Sequence, residues 1–481
     1  MQDPTERGEE RGEAPRVPED WFLPAVYLML ERQRARVVRL APPPDPAALR
    51  RNLVGGSVGN VLEWYDFAVF GYFAPVIGRQ FFPAEDEAAS LLSAFAVFAA
   101  AYFARPVGGL LFGHIGDRYG RKTALQLSVL LMAVPTFLVG LLPTTASIGL
   151  AATLLLVLLR LAQGVSVGGE LIGSMAFLAE IAPRSRRGYF ASWATSSSIA
   201  GITLGSLVAA VLGATLDPVA LEAWGWRVPF LAGIGIGWFG LWMRRGLQET
   251  GEFERLAARG QVGRLPAVEA VLEHPGQIVQ TAALVSLSGG GFYVLFVWWP
   301  TFLDQLLQPP VPHALVTNTI SMVVLVALVP LTGRLSDAVG RKPLLIVGAL
   351  GVVLLAAPLF HLVDHGSAVS ALAAQLVFAA VMSLFLGPIP ATLTELFPAR
   401  TRTSGVAIGY NASLSLLGGT APFVATWLLE TFRTPVAPAT YLALLAAVSL
   451  VAAAFLPAGP APRAGPEPEP ESNELLLDAA S

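Results

Sequence analysis

Apolar runs of about 20 residues, the length a bilayer core requires, recur along most of the chain. Short clusters of Gly, Pro and charge separate them. Read end to end they predict twelve crossings, at residues 52–78, 88–112, 122–142, 148–179, 188–214, 225–245, 276–304, 313–334, 343–363, 367–394, 403–430 and 437–457. The longest polar stretch between runs is Arg244 to Pro275, midway through the series.

Composition supports this reading. Of 481 residues, 54% are hydrophobic and only 14% charged, and the mean hydropathy is +0.61. A soluble chain alternates apolar and charged faces and does not reach that value. The absence of cysteine excludes disulfides, thiolate metal sites and thiol nucleophiles. The net charge of -3 says little about partners.

Lysine and arginine give an orientation. Of the 31, all but five lie on the side that holds both termini. Arg105 and Arg160 are inside spans, and Arg79, Arg227 and Arg433 face the other side. The positive-inside rule then predicts both termini in the cytoplasm, in an inner or plasma membrane. The segment WFLPAVYLML near the N-terminus follows an acidic stretch, unlike a cleaved signal peptide. It reads as a surface-lying amphipathic helix or as one short helix in a disordered tail. The tail after Pro457, with PEPEPES, reads as disordered.

The chain repeats itself. GHIGDRYGRK at Gly113–Lys122 returns as GRLSDAVGRK at Gly333–Lys342, after the second and eighth spans. EIAPRSRRG at Glu180–Gly188 and ELFPARTRTSG at Glu395–Gly405 follow the fourth and tenth. Such parallel repeats mark transporters. The expected fold class is therefore an all-α polytopic membrane protein, with twelve transmembrane helices in two six-helix pseudo-repeats around a central cavity. The expected domains are a cytoplasmic tail at 1–48, a bundle at 49–243, a cytoplasmic linker at 244–275, a second bundle at 276–457 and a tail at 458–481.

With these loops in view, the chain resembles the major facilitator superfamily over roughly residues 50–457. GNVLEWYDFAVFGYFAP, ARPVGGLLFGHIGDRYGRK, RLAQGVSVGGE and APRSRRGYFASW look like the metabolite:proton symporter family within it. That family includes carriers of dicarboxylates, citrate, shikimate and proline betaine. The chain departs from the pattern in LIGSMAFLAE, which lacks the aromatic-glycine pair expected after Glu170.

GNVLEWYDF puts two carboxylates, Glu63 and Asp66, inside the first span. Glu63 is about 16 Å along it, near the bilayer midplane, and Asp66 is three residues on, on the same face. A charge there costs roughly 3 kcal/mol or more, so it faces a cavity or a partner. Burial disfavours the ion, so such a carboxyl can load and release a proton as access alternates. The structural alternative is an acid paired with an Arg only to lock helices. Arg105 lies about 18 Å from the end of the second span, where a guanidinium is a fork for carboxylates; it fits a substrate contact or an ion pair with Glu63 or Asp66. In the fourth span Arg160 and Glu170 are about 15 Å apart. The resemblance associates the Arg of R-x-x-Q-G with proton coupling, which falls on Arg160, with Gln163 beside it as a solute contact. Glu170 is expected either in coupling or in a structural salt bridge.

The second half carries no charge inside its spans, away from their ends. Its candidate substrate groups are Tyr293, Trp298, Trp299, Tyr410 and Asn411, against the alternative that they pack or anchor. The TSSS run of the fifth span reads as close helix packing. The Gly-Asp-Arg loops lack the phosphate-binding P-loop spacing and follow no strand, which argues against a nucleotide. They read as a gate: the resemblance to the superfamily implies that Asp117 caps a helix N-terminus and pairs with Arg across the halves. Arg118, Arg121, Arg186 and Arg187, with Asp337, Arg341 and Arg402 in the other half, complete it. The fuller first loop is expected to be the stronger latch.

These features predict a monomeric secondary transporter with no cofactor, metal, nucleotide or nucleic acid. Its partners are the lipid bilayer, protons and a small organic solute. Proton-coupled uptake of a di- or tricarboxylate-like anion or a zwitterion leads. Proton antiport remains open, although GITLGSLVAAVLG has Gly without the Pro of family exporters. So does a receptor or scaffold that moves no solute. An enzyme lacks a nucleophile, base and orienter set.

Overall fold

The computed structural model describes residues 46–119, 121–168, 170–235, 238–239, 242, 266–363, 367–398 and 401–457, with the side chains at 109–130 and a few other positions excepted. Contacts divide the chain into residues Met1–Asn52 and a compact unit, Leu53–Ser481, that holds the remaining helices.

Among the described residues, helical segments at the twelve predicted spans follow in order. α1 is Pro46–Tyr72 continued by Ala74–Phe81, α2 Glu87–Tyr119 and α3 Arg121–Leu141. α4 is Leu150–Ser166 with Glu170–Ile181, α5 Arg187–Thr215, and α6 opens at Arg227–Leu231. α7 is Pro275–Leu306, α8 Ala314–Val339, α9 Arg341–Leu362, α10 Ala368–Glu395, α11 Arg402–Phe432 and α12 Val436–Ala454. Among the described residues nine of these helices are long and apolar enough to cross a membrane. Within the described residues the predicted edges agree to within several residues, which is the reach of hydropathy when helices run on into the aqueous rim; the predicted end of the sixth span, at 245, lies outside the described residues.

Small residues let the helices approach. A Cβ at Gly164 of α4 would collide with the Ala101 carbonyl of α2, and one at Gly108 with that of Val165. In lipid, where burial of Leu gains nothing over the tails, such close packing is what holds helices together. The two halves meet chiefly through α5 against α8. α2 against α11 is the matching pair, where a Cβ at Gly419 would lie 2.5 Å from the Tyr102 Cβ.

Two irregularities matter for function. α4 breaks after Ser166, at Val167-Gly168, and α10 breaks at Gly387-Pro388. A broken helix leaves carbonyls without an intrahelical partner, and such breaks are tolerated at membrane depth only where protein or a cavity covers them. α7 and α11 contain π-helical turns, at Leu287–Gly291, Tyr293–Trp298 and Phe302–Leu306 in α7 and at Leu414–Gly418 in α11. Turns of this kind often sit at functional sites.

Candidate functional site

Asp66 sits at mid-depth on α1 and is 3% exposed. Its Oδ1 accepts the Thr136 hydroxyl of α3 at 2.6 Å and the Gln163 amide of α4 at 3.2 Å. Its Oδ2 lies 3.7 Å from Nη1 of the fully buried Arg160, which also donates to Gln163 Oε1 at 2.9 Å. Arg160 is caged by aromatic faces, with its guanidinium carbon 4.1 Å from the Phe70 centroid and 5.0 Å from that of Phe67. Such faces attract a cation when water is excluded. Asp66, Arg160, Gln163 and Thr136 thus form one polar knot in the core of the first half. Its ion pair is long and sideways, because Gln163 and Thr136 hold the other oxygen.

Glu63, equally buried, lies one turn nearer the arginine-rich end. Tyr410 of α11, in the second half, is within electrostatic range of both Glu63 and Arg105.

Arg105 is 2% exposed. Its guanidinium stands over the rings of Trp64 at 5.7 Å and Tyr102 at 5.4 Å. One nitrogen makes a long bond of 3.4 Å to the Val167 carbonyl at the α4 break. Nε and Nη1 have no hydrogen-bond partner among the described residues. The break serves α11 as well, since Asn411 donates to the Gly168 carbonyl at 2.9 Å. Tyr102 and Tyr293 bond hydroxyl to hydroxyl between α2 and α7, and Ser415 donates to the Tyr102 carbonyl at 2.7 Å. Of the second-half candidates, Tyr293, Tyr410 and Asn411 therefore join the first-half cluster. Trp298 stands apart, its indole N–H donating to Thr426 at 2.8 Å and its ring stacked on Phe302. Trp299 likewise packs among Phe302, Phe360 and Phe378.

At the arginine-rich end, Asp337 of α8 reaches the N-terminus of α5. Its carboxylate accepts the backbone N–H of Gly188 at 2.7 Å and of Tyr189 at 2.9 Å. These are two of the amides that a helix start leaves unpaired. Arg341 pairs with the same carboxylate at 2.8 Å and with Glu395 at 3.4 Å. The capping contact made by Asp337 thus falls on the backbone next to Arg187, whereas the Asp expected to cap, Asp117, has its side chain outside the described residues. Arg402 opens α11, half-buried. The side chains of Asp117, Arg118, Arg121 and Glu170 lie outside the described residues.

At the opposite end the halves meet through uncharged groups. Asn318 of α8 donates towards Tyr72 Oη at 3.2 Å, Ser206 Oγ at 3.2 Å and the Phe296 carbonyl at 3.1 Å. It accepts from Gln375 at 2.8 Å. Tyr72 donates to the Phe296 carbonyl at 2.8 Å. Ser196 of the TSSS run bonds the Val326 carbonyl at 2.8 Å, which agrees with a packing role. Sequence reasoning missed Thr136, Trp64, Tyr102 and Asn318. Isolated polar or aromatic positions inside apolar runs were the available signal, and hydropathy averages them away.

The arrangement joins two like halves through paired helices, with buried charge at mid-depth. The family model described as "Sugar (and other) transporter" matches residues 53–259 and 282–459. The chain belongs to the major facilitator superfamily. A proline/betaine transporter of Salmonella typhimurium is 33% identical over 434 residues, covering 88% of this chain and 87% of that one. A glycine betaine/proline/ectoine/pipecolic acid transporter of Dickeya dadantii, OusA, is 34% identical over 440 residues, covering 89% and 88%. The xylose transporter XylE of E. coli in a partially occluded inward-open conformation superposes with a TM-score of 0.67 at 19% identity, covering 85% of this chain and 98% of XylE. The protein is an integral, multi-pass membrane transporter of small solutes.

Proposed function

We propose that the protein is a proton-coupled importer of small zwitterions of the proline and betaine type, with Asp66 carrying the proton and Arg105 holding the solute carboxylate. The observation that carries the reading is the pairing of a buried carboxylate, Asp66, with a buried guanidinium at 3.7 Å. The two are too far apart to bond tightly and close enough to neutralise each other. Protonating Asp66 uncouples Arg160 and the α3 and α4 contacts held through Gln163 and Thr136, which gives the proton a structural consequence.

Arg105 and Glu63, of opposite charge, both lie within electrostatic range of Tyr410. That polarity suits a zwitterion better than a di- or tricarboxylate, which would set a second anion against Glu63. The names of the relatives point the same way. Both termini lie in the cytoplasm on this reading, so the Asp337 latch closes the cytoplasmic side and the Asn318 seam the outer side. Residues 49–243 and 276–457 are the bundles that rock against each other, joined by 244–275.

The test is Asp66→Asn in proteoliposomes under an imposed pH gradient. The neutral amide mimics the protonated acid, so accumulation of glycine betaine is expected to vanish while solute-for-solute counterflow survives. Accumulation at the wild-type level removes Asp66 from coupling.

A further inference from the structure

Trp64 lies between the two acids of α1 and is 5% exposed, yet its indole N–H has no hydrogen-bond partner among the described residues. Leaving a buried donor unmet costs about 1–3 kcal/mol, and each such group calls for an explanation. The indoles of Trp193, Trp226 and Trp299 share the feature. Their surroundings differ. Trp299 sits in a ring of phenylalanines. Trp226 has Arg227 over its face, but that guanidinium is taken by the Gly140 and Leu142 carbonyls. Among the described residues, Trp64 alone of these stands beside a buried cation, Arg105, that itself keeps two nitrogens, Nε and Nη1, without partners there. Unmet donors on α1 and α2 are thus neighbours, with the Arg105 guanidinium carbon 5.7 Å from the Trp64 ring centroid.

We infer that Trp64 Nε1–H is a second donor to the solute carboxylate, completing with Arg105 a site that selects solutes with a free carboxylate. This rests on the proposed role of Arg105 as the carboxylate anchor. A carboxylate has two oxygens and about four lone-pair sites, so it can take the guanidinium fork and still accept the indole. A neutral amide in the same place would turn two hydrogens towards these donors. Because Trp64 is on α1 and Arg105 on α2, one carboxylate ties the two helices together at the level of Asp66. The Trp64 ring also has the guanidinium over it at 5.7 Å, so a substitution that keeps a ring isolates the N–H.

The experiment uses Trp64→Phe in the reconstituted full-length protein, with radiolabelled glycine betaine as probe and Arg105→Lys measured in parallel. A hydrogen bond to a charged group predicts that Trp64→Phe raises the half-saturation concentration roughly tenfold, with the maximal rate held within about twofold. Betaine amide, which has the cation but no carboxylate, is expected to compete equally weakly in both. An unchanged half-saturation in Trp64→Phe beside a raised one in Arg105→Lys overturns the inference and leaves the anchor standing. No change in either variant removes the anchor and the inference with it. A fall in maximal rate alone assigns Trp64 a packing role and also overturns it. A second measurement needs no active variant. With 5-fluorotryptophan incorporated, the Trp64 fluorine signal of the wild-type sequence is expected to shift on saturation with glycine betaine and not with betaine amide. A signal indifferent to glycine betaine contradicts the inference.

Discussion

Replacing Asp337 with Asn should unlock the arginine-rich end. The carboxylate makes three contacts, and they differ in kind. The pair with Arg341 is four residues away on the same side of the interface, so it persists when the halves part. The bonds to Gly188 and Tyr189 N–H, at 2.7 and 2.9 Å, cross from α8 to α5 and exist only when the end is closed. A carboxylate at a helix start contributes up to about 2 kcal/mol in a partly buried setting. Bonds to a charged acceptor are individually of the same order, less what water returns on opening. Asn keeps one acceptor and turns a donor towards the second amide, so a loss of roughly 2 kcal/mol is the expected scale, or about 30-fold in the closed-to-open ratio. Ser192 is the reporter. It is fully buried at this contact, and a Cβ on Gly333 would lie 2.5 Å from its hydroxyl. The chain has no cysteine of its own, so Ser192→Cys is labelled by an impermeant maleimide only when the end opens. Labelling from the cytoplasmic side should quicken by an order of magnitude or more in the Asp337→Asn background, while net uptake slows. An unchanged rate refutes the latch, and labelling from the outer side refutes the orientation.

Asp117→Asn, in the fuller copy of the loop, should quicken the same labelling more than Asp337→Asn does; a smaller effect reverses the ranking read from the motif. Arg105→Lys keeps the charge but loses the fork, and should raise the half-saturation for glycine betaine about tenfold or more; normal uptake by Arg105→Ala excludes it from the site. Tyr72→Phe removes the donor to the Phe296 carbonyl. It should favour opening at the outer end by about 1 kcal/mol, a shift of roughly fivefold, read by labelling a cysteine at Ser206. Gly164→Val sets a side chain against the Ala101 carbonyl. Since overpacking costs typically 1–3 kcal/mol and here forces backbone apart, a lowered melting temperature or loss of folded protein in detergent is expected.

Much of the fold was legible because a membrane helix is written as a long contiguous run, and because GHIGDRYGRK and GRLSDAVGRK mark equal places in two halves. The charged site residues were legible for the same reason: Asp66, Arg105 and Arg160 stand out against an apolar background. Their partners were not. Thr136 and Gln163 reach Asp66 from helices α3 and α4, and no spacing within one helix reveals which face turns to which neighbour. Trp298 shows the converse. An aromatic in a second-half span looks like a binding candidate until Thr426, from another helix, is found taking its N–H.

The claim at the centre of this account is that solute and proton move together. Its most direct measurement is proton movement itself, in proteoliposomes loaded with a pH-sensitive dye and given glycine betaine without an imposed pH gradient. The lumen is expected to acidify as solute enters, in proportion to uptake, and Asp66→Asn to abolish the acidification while exchange continues. Uptake of glycine betaine with no change in lumenal pH, or with alkalinisation, would contradict it.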